Sequence, residues 1–173
     1  MTIYTIGHST LELDDFARVL GRYKIDLLAD VRSVPRSRHV PQFNEDNLAK
    51  ELPRCNIDYQ HLAKLGGLRH ALKDSPNLGW RNKSFRGYAD YMQTEDFTNG
   101  IEELLILAEN HRVAIMCAEA VPWRCHRSLI GDALLIRNIE VFDIFSANKT
   151  QPEKLTSFAQ TNGLKITYPS ETA

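Results

Sequence analysis

Val113-Ala114-Ile115-Met116-Cys117 constrains the chain more than any other stretch. Five residues run without a polar interruption, between His111-Arg112 and Ala118-Glu119. A run this short and continuous reads as a strand buried on both faces, the mark of a parallel sheet rather than of a sheet with one wet side. Such a strand needs cover above and below, so the remaining sequence must supply helices for both faces.

It supplies them in alternation with further strands. Ile3 to Gly7 reads as the first strand, and Ser9 stands three residues before Glu12, the spacing of a capping box. Leu13, Phe16, Ala17 and Leu20 then recur at helical spacing until Gly21. Residues 26–31 predict a strand, 45–52 a helix capped by Asn44, and 57–62 a short strand. Thr94 caps a helix whose apolar stripe holds Phe97, Ile101, Leu104, Leu105 and Ala108. A helix over 124–137, a strand over 141–145, a last helix from Pro152 to Gly163 and an edge strand over 164–168 complete the reading. The expected fold is α/β: one domain over 1–173, with a mostly parallel central sheet flanked by helices on both faces. Residues 63–84 break the pattern with Gly66-Gly67, Ser75-Pro76 and Gly79. We expect a functional loop or lid there, with a short helical turn near 68–73.

Composition agrees with one self-sufficient core. The 173 residues are 43% hydrophobic and 25% charged, which excludes long disorder. With 21 Lys+Arg against 22 Asp+Glu, a broadly basic nucleic-acid coat is excluded and a local basic site is not. No apolar stretch approaches the ~20 residues that span a bilayer, so no membrane partner is expected. Three Cys and a start, Met1-Thr2-Ile3-Tyr4, without a basic and apolar leader pattern predict a reduced, cytoplasmic setting.

Ligands of open parallel sheets bind beyond the carboxyl ends of the strands. The first strand end offers His8 and Ser9, and the second Asp30, Arg32, Ser33, Arg36, Ser37 and Arg38. The third offers Cys117 and Glu119, followed by Arg124, Cys125, His126 and Arg127 at a helix start. That helix start is expected to cradle a phosphate or other anion with its free amides, with arginines around it and Cys117 held as a thiolate nucleophile. The bland alternative makes Cys117 a small core residue. Glu119 is the candidate acid/base; Asp30 is a second carboxylate, or simply the partner of Arg32. Gly66, Gly67 and Arg69 are candidate loop contacts.

Basic residues fall in three clusters: Arg32, Arg36 and Arg38; Arg81, Lys83 and Arg86; Arg124 and Arg127. The second is interleaved with Trp80, Phe85 and Tyr88, a mixture suited to phosphates and bases. The leading expectation is an enzyme, a transferase or hydrolase, for a phosphorylated or nucleotide-like anion. The alternatives are a non-catalytic nucleotide or nucleic-acid binding module, and a metal site built on Cys125 and His126 with Cys117 and His8 or a redox pair of Cys117 and Cys125. The sequence names no cofactor.

Four blocks also carry a resemblance: Tyr4-Thr5-Ile6-Gly7-His8-Ser9; Asp30-Val31-Arg32-Ser33-Val34-Pro35-Arg36-Ser37; Leu65-Gly66-Gly67; and Cys117-Ala118-Glu119 running on to Cys125-His126-Arg127. Together, from residue 3 to about 137, they resemble the domain of unknown function 488 family. The resemblance implies an α/β domain whose biochemical role is not established.

Overall fold

The structure, a computed structural model, describes residues 1–171. In chain order its elements are β1 (Thr2–Gly7), α1 (Leu13–Arg22), β2 (Leu27–Asp30), α2 (Glu45–Glu51) and β3 (Asp58–His61). Then follow α3 (Lys83–Tyr91), α4 (Glu95–Asn110), β4 (Val113–Cys117) and α5 (Arg127–Leu135). The chain ends in two hairpins, β5 (Glu140–Ser146) with β6 (Lys149–Pro152), and β7 (Gln160–Asn162) with β8 (Lys165–Thr167).

Six strands form one sheet in the order β3-β2-β4-β1-β5-β6, parallel except for β6 at the edge. Every residue of β2 and β4 is buried, as their continuous apolar runs require. Alternate side chains divide the core in two. Tyr4, Ile6, Leu28, Ala114 and Met116 face α1 and α2 through Phe16, Leu20 and Leu48. Ile3, Ala29, Val113, Ile115 and Cys117 face α3, α4 and α5 through Ala89, Leu104 and Ile130. Helices thus cover both faces of a mostly parallel sheet, as expected.

The order of strands sets the site. From β1 the chain leaves toward β2 on one side, and from β4 it leaves toward β5 on the other. The two neighbouring strands at this reversal end at Gly7 and Cys117, which stand opposite each other in the register. The loops after β1 and β4 stay together there, His8 N donating to the Cys117 carbonyl and Ser9 N to the Ala118 carbonyl, so the opening lies on the other side of β4, between its end and the end of β2.

Several local expectations are corrected. Ser9 does not cap α1: it sits at φ 49°, and Glu12 precedes the helix without a side-chain cap. Asn44 precedes α2, but its Oδ1 accepts from the Ser37 amide instead. The helix expected from 124 starts at Arg127, because Pro122 opens a 3-10 turn over Pro122–Arg124 and Cys125 is extended. No helix forms between Pro152 and Gly163. Pro152 ends the edge strand β6, where a missing amide costs no ladder bond, and Gly163 at φ 63° turns the β7–β8 hairpin. The strand expected over 164–168 pairs only with β7, in a separate two-stranded sheet. No helical turn forms near 68–73; the loop opens with a 3-10 turn over Ala63–Leu65 and reverses at two hydrogen-bonded turns, Ser75 N donating to the Leu72 carbonyl and Trp80 N to the Asn77 carbonyl.

Candidate functional site

Cys117 ends β4 with 2% of its surface exposed, and its environment is set by one side chain from α5. The Arg127 guanidinium is fully buried. Its Nη1 donates to Cys117 Sγ at 2.7 Å and to the Glu119 carbonyl at 2.5 Å. Its Nη2 donates to the Ala120 carbonyl at 3.2 Å and its Nε to Thr5 Oγ1 at 3.3 Å. A guanidinium does not deprotonate, so a buried one requires an anion nearby. Asp143 is reached only through Thr5, and burial pushes its carboxyl up. The direct partner able to carry the charge is the Cys117 sulfur.

Burial alone pushes the Cys117 thiol up. A hydrogen bond from Cys125, the charge and hydrogen bond of Arg127, and the backbone at Glu119 outweigh it and bring the thiol down to about 7. Cys125 moves the opposite way, raised by its hydrogen bond to Cys117 and then by burial, so it remains the protonated member of the pair. His126 stands beside Cys125, with Nδ1 3.6 Å from its Sγ and Nε2 donating to the Val31 carbonyl at 2.8 Å. Burial lowers this imidazole to about 4, so it is neutral at pH 7 and brings no positive charge to the cleft.

These groups form the floor of a cleft of about 440 Å³. Arg124 and Glu119 are exposed residues on one wall, and Arg32, Ser33 and Val34 line another. The remaining wall is Gly67 and Leu68 with Asn82, Ser84 and Phe85, where α3 begins. Leu68 is 80% exposed at φ 59°, a conformation that costs a branched side chain about 1 kcal/mol, and it presents an apolar surface to the opening. Three glycines keep the walls close. A Cβ on Gly7 would stand 1.6 Å from the Glu119 carbonyl oxygen, one on Gly66 2.8 Å from Ser33 Oγ, and one on Gly67 3.1 Å from His126 Nδ1.

The expected amide cradle is not free. The first amides of α5 are taken by its own flank: Arg127 N by Cys125 Sγ at 3.5 Å, Ser128 N by the Cys125 carbonyl and Leu129 N by the His126 carbonyl. Asn82 Oδ1 likewise occupies the Ser84 and Phe85 amides of α3. An anion in this cleft is therefore held by side chains.

Of the expected residues, Cys117, Glu119, Arg32, Arg124, His126 and Gly67 meet at the cleft. Others do not. Asp30 is fully buried and accepts from Arg32 Nε at 2.9 Å, Arg32 Nη2 at 2.7 Å and the Tyr59 hydroxyl at 2.6 Å, so it anchors β2 and is no base for the cleft. Arg32 spends its guanidinium on Asp30 and the Phe43 carbonyl. His8 is buried, stacked on Phe43 and lowered by burial; Nδ1 donates to the Ser9 carbonyl at 2.7 Å and Nε2 faces Arg32. His8 and Ser9 do not line the cleft, nor do Arg36 and Ser37. Arg127 acts from below, on the sulfur. Arg69 lines a neighbouring pocket, its guanidinium 3.6 Å from the Tyr91 ring centre, and Gly66 supports the loop from behind. Ser33 and Leu68 lie within the segments expected to form the cleft; Asn82 and Ser84 do not, and the available signal for them is Asn82 as a helix cap. Among the described residues no three His, Cys, Asp or Glu side chains converge as a metal site would require.

The family model described as Domain of unknown function DUF488 matches residues 12–134. The chain belongs to the DUF488 family. The matched segment runs from the start of α1 through α5 and contains both cleft thiols and Arg127, while β1 with its Gly7-His8-Ser9 end lies before it. No curated protein and no solved structure is significantly similar to this DUF488 chain. Among the described residues no helix is long and apolar enough to cross a membrane.

Proposed function

We propose that this DUF488 chain is a thiol-dependent enzyme, a transferase or hydrolase, acting on a phosphorylated or nucleotide-like anion in the cleft over Cys117. The observation that carries the reading is the buried Arg127 guanidinium, 2.7 Å from Cys117 Sγ. A structural cysteine at a strand end needs no buried cation, and a buried cation with a thiol as its direct charge partner favours the thiolate. Cys117 is the nucleophile. Cys125 stays a thiol and donates to the sulfur, and Arg124, exposed at the mouth without an ion pair among the described residues, supplies the cationic contact for substrate. Glu119 on the same wall is the group placed to exchange a proton with substrate. A working Cys117 thiolate must stay reduced, which suits a reducing setting such as the cytoplasm.

Cys55 is exposed at the end of the 3-10 turn that follows α2 and serves as an internal reference. Relative to Cys55, Cys117 should react several-fold faster with iodoacetate than with iodoacetamide, because Arg124 attracts the carboxylate. Arg124→Gln should bring the two ratios together. Equal reagent preference at both cysteines in the unaltered chain would remove the anion-binding half of the proposal.

A further inference from the structure

Beside the cleft lies a second pocket of about 400 Å³, lined by Arg69, His70, Lys83, Ser84 and Arg86 together with Ala71 and Leu72. Ser84 lines both cavities, so the two meet at the start of α3. The second pocket has four basic side chains and no carboxylate in its wall. In a chain whose formal charge is −1, that concentration is not the average surface. Nor are Arg69, Lys83 and Arg86 neutralised elsewhere: among the described residues, no ion pair involves any of the three. Arg69 and Arg86 each spend their Nε on a backbone carbonyl, Gly66 at 3.2 Å and Trp80 at 3.1 Å, which aims the guanidinium and leaves its outer donors unused.

The frame around these charges is built rather than loose. Asp90 of α3 is buried and accepts from Leu72 N at 2.8 Å, Ser75 Oγ at 2.6 Å and Asn77 Nδ2 at 2.7 Å, which fastens the loop to the helix. Gly87 lets the loop lie against α3, since a Cβ there would stand 2.2 Å from the Arg69 carbonyl oxygen. The one carboxylate near the pocket on α3 is thus consumed in positioning the loop.

We infer that this pocket is a second anion subsite, and that the ligand carries a chain of phosphates reaching from the cleft across Ser84 to Arg69, Lys83 and Arg86. The inference deepens the anionic-substrate reading above by naming an oligophosphate chain as its chemistry. Fixed guanidinium donors suit phosphate oxygens, and several cations with no carboxylate suit a multiply charged chain better than a single phosphate.

The test is calorimetric binding of sodium tripolyphosphate, orthophosphate, ATP and a 5′-phosphorylated single-stranded oligonucleotide to the Cys117→Ser chain at low salt, so that the outcome does not depend on thiol chemistry. Tripolyphosphate should bind at least tenfold tighter than orthophosphate. Lys83→Glu with Arg86→Glu should weaken it by about tenfold or more, the scale of a lost charge-assisted contact, and leave orthophosphate unchanged. Lys83→Glu alone, at an exposed residue without a hydrogen bond, should show part of that loss in a chain whose fold is untouched. ATP binding tighter than tripolyphosphate assigns the phosphates to a nucleotide, and equal binding assigns them to a free chain. The inference is overturned if tripolyphosphate binds no better than orthophosphate, if charge reversal changes nothing, or if only a 5′-phosphorylated single-stranded oligonucleotide binds. An inert Cys117 in a chain that still binds tripolyphosphate here would end the thiol reading and leave this one standing.

Discussion

Arg127 and Glu153 show how burial decides what a charged residue does. Arg127 is held ionised by its chemistry, and its field settles on Cys117. Glu153 has no such cation in contact. Its Oε2 is buried without a hydrogen-bond partner and lies where a Cβ on Gly131 would meet it at 1.7 Å. Burial, then Asp143 and Asp132, push its carboxyl up to about 10, so it is neutral at pH 7. The folded chain then binds a proton that the unfolded chain releases above about 4.5, and stability is lost as pH rises between those values. Glu153→Gln should therefore raise stability at pH 8 by about 1–3 kcal/mol and by little at pH 5, read from denaturant midpoints at both pH values. Equal effects at the two pH values would mean that Glu153 is ionised throughout. Neither role was legible in the sequence. Arg127 read as a ligand contact because spacing shows that it opens a helix, but not that its side chain turns beneath the sheet end.

Among elements, those with a continuous apolar run or a strong cap were readable, and those defined by a turn were not. β4 falls on the residues expected, and Thr94 caps α4 by accepting from the Phe97 amide. The last 22 residues misled because Pro152 and Gly163 suit both ends of a helix, while Asn162-Gly163 is equally a hairpin turn. Tertiary contacts chose the hairpin: Tyr168 beyond β8 is fully buried, its hydroxyl donating to Asp132 at 2.7 Å and its amide to Asn77 Oδ1. The contact of β1 with the loop after β4 is the element-level device that holds the site. Gly7→Ala should destabilise the fold by about 2–4 kcal/mol, because the clashing atom is backbone and must move with residues 118–120. Thermal unfolding measures it, and an unchanged midpoint would show that this loop gives way freely.

Across the whole molecule, the strand order could be narrowed from sequence only to a parallel sheet. The reversal between β1 and β4 is a property of long-range pairing that periodicity does not encode. It matters because it makes β1 and β4 central strands, bonded on both edges and covered on both faces. Their amides should be the slowest to exchange with solvent, and those of β7, whose residues are all exposed, among the fastest. Uniform exchange across the strands would contradict this ordering. The sequence also located the cleft in outline, since Cys117, Glu119 and Arg124 lie where strand-end reasoning puts them. It pointed to the long loop through Gly67 but did not single out Asn82 and Ser84 at the start of α3, which the packing of Asp90 and Gly87 against that loop brings to the opening.

The central claim is that Cys117 is a thiolate held by Arg127, and the most direct test is its alkylation rate against pH, with each site assigned by mass spectrometry in the folded chain. We predict a midpoint near 7, moved upward by Cys125→Ala, which removes a hydrogen bond from the sulfur. A Cys117 that titrates at or above ~8.5, the ordinary thiol value, or that does not react at any pH short of unfolding, would contradict the account.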